Sequence, residues 1–390
     1  MITHPALLAA VLLAMEAAVL AAAAHPRTKD FFRYMPAVFW IYFLPMLASS
    51  LGLIDPKSPL YGKVVDYGLP ASLFMLLLSV DLKAIARLGR TVILMFLSGS
   101  FGIILGTVIV FTLFRRVVGA EFHSGFGALS ASWMGGSANM IAVKEALATP
   151  DNVFLPMVVV DTIVPYVWMG VLIFGSTWQE RVDRFNNADM AVLDDARARV
   201  DGADAAGTEP MDWSRVPFVT AIAFAVSLGL NALSPRWPVI PGVISAFTWT
   251  VIIVSTAGLL CSLTRLGRFA PASSTKAGYF MLYFVLTTIG ARASVTELGD
   301  SLVLVGAGFL IVFIHAIVLM LAARLLRAPV MLAAAASQAN VGGVASAPVV
   351  AAVYQPGLAA VGLLMAVLGN IIGTYLGIVT GQICRLMTNL

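Results

Sequence analysis

Residues 133–140 read WMGGSANM, and they sit inside a run, 124–148, that is otherwise apolar enough to lie within a bilayer. A membrane helix must satisfy every backbone N–H and C=O internally, because lipid offers no partner. Two adjacent glycines, a serine and an asparagine break that pattern. The segment is either a helix interrupted at mid-membrane or a re-entrant hairpin that turns there. The same problem recurs late in the chain, where residues 340–346 read NVGGVAS inside the apolar run 328–354. How these two segments are read decides the fold.

Everything around them is membrane sequence. Of 390 residues, 60% are hydrophobic and 11% charged, and the mean hydropathy is +0.93. Soluble domains carry about 25% charged residues. A span needs about 20 apolar residues, and the candidates are 5–24, 35–53, 64–81, 91–114, 124–148 and 153–175, then 215–233, 243–263, 275–291, 301–323, 328–354 and 357–383. The first run follows no basic residue and ends in no clear small-residue cleavage site, so a retained helix is expected rather than a signal peptide. Between the two sets lies a hydrophilic insert, 176–214, read as a solvated cytoplasmic linker with one short surface helix. The net charge of +4 comes from loop lysines and arginines and implies no nucleic-acid partner. Cys261 and Cys384 stand far apart and are expected to be reduced thiols.

The halves on either side of the insert, 1–175 and 215–390, resemble each other. LFMLLLSVDLKAIARLG at 73–89 lies over YFVLTTIGARASVTELG at 283–299, with Phe74, Leu76, Leu88 and Gly89 recurring as Phe284, Leu286, Leu298 and Gly299. SASWMGG at 130–136 lies over SQANVGG at 337–343, and Asp161 and Tyr166 then match Asn370 and Tyr375. Three matches in order at nearly constant spacing indicate a duplication. Duplicated halves with a site at their interface are the commonest plan of secondary transporters.

If each glycine pair sits in a crossing helix, each half crosses six times and the repeats are parallel. If each pair is the tip of a hairpin, each half crosses five times and the repeats are inverted. Cytoplasmic loops carry the excess of Lys and Arg, and only the hairpin reading puts the basic-rich side on the same face in both halves. It places the N-terminus outside, and Arg27, Lys29 and Arg33 inside together with the insert. The expected fold is therefore an all-α multi-pass membrane protein of two inverted repeats of about five helices, each with a Gly-Gly re-entrant hairpin or broken helix.

GGSAN and GGVAS, each late in a half and each followed by a helix with a central polar residue, resemble the YjcL-type membrane protein family, domain of unknown function 819. The resemblance covers nearly the whole chain. More distantly, the arrangement is similar to sodium–glutamate and sodium–citrate symporters, on Gly135, Gly136, Gly342 and Gly343. That likeness implies an elevator-type transporter, a homodimer in the inner membrane of a bacterium, with solute and ions at the two tips. The histidine or further glycines often found near such tips are absent. The cation–proton antiporter fold is also similar; it would make both segments crossing helices and place a carboxylate on the following helix, where Asp161 stands.

Ionisable residues inside a membrane are costly and mark function by default. Asp161, in VVVDTIVP, precedes Pro165 by one turn, so nearby carbonyls lose their donor. Carboxylate plus free carbonyls suits proton exchange or a hard cation; an Asp that merely pairs with another helix is the plain alternative. Its repeat mate Asn370 supplies a neutral amide. Ser130, Ser337, Thr287 and Thr288 complete the expected ion-coupling set. For the solute, Ser132, Gly135, Gly136, Ser137 and Asn139 would line the first tip, and Gln338, Asn340, Gly342, Gly343 and Ser346 the second. Glycine allows backbone to approach a ligand, and half-helix ends offer N–H to anions and C=O to cations. Close packing through small residues would use the same glycines. Arg292 could hold a substrate carboxylate or anchor at the interface. Glu16 is read as a scaffold contact, His315 as packed, and Asp81, Lys83, Lys144 and Glu145 as interfacial.

No nucleophile–base set, metal-ligand spacing or phosphate-binding loop is present, so no enzyme is read here and no cofactor beyond a possible sodium ion. The leading expectation is an ion-coupled secondary transporter, by sodium or proton, of a small anionic or zwitterionic solute such as a carboxylate, amino acid or short peptide. The scaffold is expected from 5–24, 35–53, 215–233 and 243–263. A monovalent cation–proton antiporter centred on Asp161 is the second reading, and an uncoupled channel or membrane sensor the third.

Overall fold

The structure is a computed structural model that describes residues 1–28, 31–32, 37–200, 211–240, 245–293, 301–355 and 357–388. Among them Lys29, Arg33, Leu298 and Gly299 do not fall, so what was expected of these four lies outside the described residues. The chain is helical. Seven principal helices of the first half are α1 (Pro5–Ala24), α2 (Ala37–Ser50), α3 (Pro59–Leu78), α4 (Arg90–Val118), α5 (Phe122–Gly135), α6 (Ser137–Ala146) and α7 (Asp151–Gly175). Seven of the second half follow in the same order: α8 (Val216–Leu233), α9 (Ala246–Ser262), α10 (Pro271–Arg292), α11 (Ser301–Leu325), α12 (Val330–Val341), α13 (Gly343–Tyr354) and α14 (Ala359–Met387). Among the described residues six helical stretches are long and apolar enough to cross a membrane: Pro5–Ala24, Arg90–Val118, Asp151–Asn186, Val216–Arg236, Leu302–Leu326 and Ala359–Met387. Helices α2, α9, α12 and α13 are apolar but shorter.

Starts and stops follow local chemistry. Ser58 caps α3 by accepting from Leu60 N, with Pro59 at the first helical position, where its missing N–H costs nothing. Ser245 and Thr248 form a reciprocal capping box on α9.

The chain divides into two compact units, and each draws on both halves. The first comprises Met1–Val80, Glu145–Thr162 and Ala206–Ser301. In it α3 packs on α10, α9 and α8, while α10 also packs on α2 and α1. Small residues set the spacing: a methyl on Gly258 would meet Phe74 O at 3.1 Å, and one on Gly278 would meet the Leu76 side chain at 2.9 Å. The scaffold segments expected from sequence all fall in this unit, joined by α3 and α10.

The second unit comprises Asp81–Lys144, Ile163–Ala205 and Leu302–Leu390. Here α14 packs along α5, α13, α12 and α4, and α12 packs on α13, its neighbour across the glycine pair. A glycine stripe on α4 admits α11: a methyl on Gly102 would reach His315 Cα at 3.0 Å, and one on Gly106 would reach Ile311 O at 2.9 Å.

The insert is more ordered than the single surface helix expected. Its described residues form two α-helices, Gln179–Asn186 and Ala191–Val200. Asp183 Oδ1 accepts from Val330 N at 2.7 Å, Asp189 N donates to Arg327 O at 2.8 Å, and Arg324 lies 4.6 Å over the Phe185 ring. Leu193 and Ala196 are buried. These two apolar positions, one turn apart, give the second helix a face to bury, which the acidic composition hides.

Candidate functional site

Both glycine pairs interrupt their helices, and in the same way. In the first, Gly136 N donates to Ser132 O at 2.6 Å, Gly136 takes a φ of +84°, and α6 starts at Ser137. In the second, Gly342 N donates to Gln338 O at 2.8 Å, Gly343 takes a φ of +68°, and α13 starts there. L-residues avoid that left-handed region. The other glycine of each pair serves close packing. A methyl on Gly135 would meet Gly369 O at 2.6 Å and overlap the Asn139 amide, and one on Gly342 would overlap Gln338 Nε2 and Ser346 Oγ.

Burial singles out the breaks. From Ser124 to Lys144 every residue is buried except Gly136, Ser137 and Ala138. From Ala328 to Val341 every residue is buried, and Gly342, Gly343, Val344 and Ala345 then surface. Helix ends leave up to four carbonyls and four N–H groups without intrahelical partners; at the first break Gly136 O takes Asn139 N at 3.0 Å and Met140 N at 3.2 Å. The accessible stretches are thus helix ends, where backbone groups turn from the helix to other partners.

Helix α14 packs on both broken segments, and α7 also bonds to the second. Gly369, Gly373 and Gly377 of α14 let α5 approach closely; a methyl on Gly373 would lie 2.8 Å from Gly135 Cα. Thr374 Oγ1 donates to Asn139 Oδ1 at 2.5 Å, and Asn139 Nδ2 donates to Gly135 O. Asn370 Oδ1 would stand 3.7 Å from a methyl on Gly136, so this amide borders the first break. At the second segment, Trp168 Nε1 on α7 donates to Ser337 Oγ at 2.8 Å, Gln338 Nε2 approaches Pro165 O at 3.5 Å, and Tyr354 donates to Leu172 O at 2.8 Å.

A buried polar network extends from Ser337. His315 Nδ1 lies 2.8 Å from Gly99 O and Nε2 lies 2.9 Å from Ser337 Oγ. A carbonyl only accepts, so Nδ1 carries the hydrogen and Nε2 accepts from the serine hydroxyl, which in turn accepts from Trp168. Asn340 is equally committed: its Nδ2 donates to Ala336 O at 2.9 Å and Phe96 O at 3.2 Å, and its Oδ1 accepts from Ser100 at 2.8 Å.

Of the residues singled out by sequence, Ser130, Ser132, Gly135, Gly136, Ser137, Asn139, Ser337, Asn340, Gly342, Gly343, Ser346 and Asn370 fall in the second unit. Asp161, Thr287, Thr288 and Arg292 fall in the first. Asp161 is half-buried on α7, one turn before Pro165. Thr287 and Thr288 donate to their own helix, at Phe284 O (2.7 Å) and Val285 O (2.6 Å). The Arg292 guanidinium is engaged by Glu145 at 3.3 Å and Asp151 at 3.8 Å. Among the described residues no group of three His, Cys, Asp or Glu stands close enough to hold a metal ion. Ser100, Trp168 and Thr374 were not read from sequence. Thr374 had a signal, lying one turn after Asn370 on the same face.

These features define a class: a multi-pass helical membrane protein with two matched glycine-broken segments in one compact unit. The family model described as "Protein of unknown function (DUF819)" matches residues 10–387, and the chain belongs to that family, the one the glycine elements resemble. It is similar to "Uncharacterized membrane protein YjcL" of Bacillus subtilis (strain 168), with 26% identity over 363 residues that cover 86% of this chain and 87% of the relative.

Proposed function

We propose that the protein is an ion-coupled secondary transporter of a small polar solute, anionic or zwitterionic, working as a homodimer in a bacterial inner membrane. One observation carries the reading: in two long buried segments the residues that surface are the breaks, where two half-helix ends meet. Those ends suit the charged groups of a small solute. The packing of α12 on α13 supports a hairpin at the second break. In an elevator-type cycle the second unit would carry the solute and the first would serve as scaffold.

The test is uptake into proteoliposomes under imposed sodium or proton gradients, with carboxylates, amino acids and short peptides first screened by thermal shift. Gradient-driven accumulation of a solute is the expected result, and Asp161→Asn should abolish ion dependence while the protein still folds. Sodium- or potassium-dependent proton flux without any organic solute would replace this reading with an antiporter. Uncoupled flux through the wild-type protein would replace it with a channel.

A further inference from the structure

We infer that the two breaks are chemically unequal, and that the second binds an alkali cation on neutral oxygens, with Gln338 Oε1 as its key ligand. Gln338 is 1% exposed. Its amide lies over Gly342, at the break itself, since a methyl there would overlap Nε2. Nε2 donates to Ser346 Oγ at 2.8 Å and faces Pro165 O at 3.5 Å. Pro165 O can only accept, so it orients the amide with Nε2 toward it, the Ser346 hydroxyl accepts from the same nitrogen, and Oε1 is left buried with no hydrogen-bond partner among the described residues. A buried acceptor without a donor is costly, so its persistence beside an accessible break fits a positive partner.

The surroundings supply more oxygen. Ser346 Oγ keeps lone-pair capacity beyond the one bond it accepts, and of the last-turn carbonyls of α12 Gln338 O keeps Gly342 N as donor while those nearer the break lie beyond the helix's own N–H groups. The first break disposes of the same surplus internally. There Asn139 Nδ2 covers Gly135 O, and Asn139 Oδ1 is taken by Thr374. The unpaired side-chain atom of that segment is the indole N–H of Trp133, a donor of no use to a cation. Hard divalent ions rely on carboxylates, whereas neutral oxygens suit a monovalent ion. This inference refines the coupling-ion side of the transporter reading and rests on it only for the role of the ion; binding is measurable without transport.

Purified full-length protein is heated in N-methyl-D-glucamine chloride and in NaCl or KCl at equal ionic strength. The expected result is a saturable rise of Tm with sodium or potassium that Gln338→Leu removes and Gln338→Glu keeps or strengthens. Direct binding of radioactive sodium or rubidium to wild-type protein reads the same site should Gln338→Leu fail to fold. Equal Tm in all three salts with no bound tracer, or an undiminished shift in folded Gln338→Leu, overturns the site. Proton-driven solute uptake without a cation shift removes the cation site and keeps the transporter. A cation shift without any uptake does the reverse.

Discussion

Gly135 and Gly342 occupy matched positions, yet a methyl group meets different obstacles at each. At 135 it meets the backbone carbonyl of Gly369, which cannot move without displacing α14. At 342 it meets only the ends of Gln338 and Ser346, which can rotate away. Gly135→Ala should therefore destabilise by about 1–3 kcal/mol, as overpacking does, seen as a lower Tm and lower yield. Gly342→Ala should fold nearly as well as wild type and lose the alkali-cation shift, because its methyl displaces the proposed ligands. Glu16 is the opposite kind of residue. It is fully buried in α1 with neither carboxylate oxygen hydrogen-bonded among the described residues. Burying an unsatisfied polar group is costly, so Glu16→Leu is expected to raise Tm; a fall would mean that this carboxyl holds a partner essential to the first unit.

At the level of helices, glycine spacing records which neighbours touch. Gly369, Gly373 and Gly377 repeat every fourth residue and present a bare strip to α5, while Gly170 on α7 has nothing within 4 Å of an added methyl. Gly373→Leu should force α14 away from Gly135 and abolish the folded monodisperse protein on size-exclusion chromatography. Gly170→Leu should leave the elution profile unchanged. The helices themselves were legible from hydropathy and length, and both breaks from GG in apolar sequence, because lipid leaves few options for backbone hydrogen bonds. The pairings were not legible. Trp168 with Ser337, Ser100 with Asn340 and Thr374 with Asn139 each join residues far apart in the chain, and nothing local marks a serine or threonine as a partner rather than a helix-packing residue. His315 shows the same limit: it is packed, as its apolar flanks suggest, yet both ring nitrogens are tied into the polar network behind the second break.

For the whole molecule, the arrangement of the breaks fixes a parity that can be measured. Two arms that return to the side they came from add no crossing, whereas a broken but continuous helix adds one. Under the hairpin reading the N-terminus and the insert lie on opposite faces of the membrane; under the crossing reading they lie on the same face. His4 and Asp194 are both exposed and flank that difference. In a background with Cys261 and Cys384 replaced by serine, His4→Cys and Asp194→Cys are treated in intact cells with a membrane-impermeant maleimide. Labelling at 4 and protection at 194 until the cells are opened is the expected pattern, since the basic loops that share a face with the insert belong inside. Labelling at both positions, or at neither, would mean that the first glycine pair sits in a helix that crosses, and the parallel arrangement of repeats would follow.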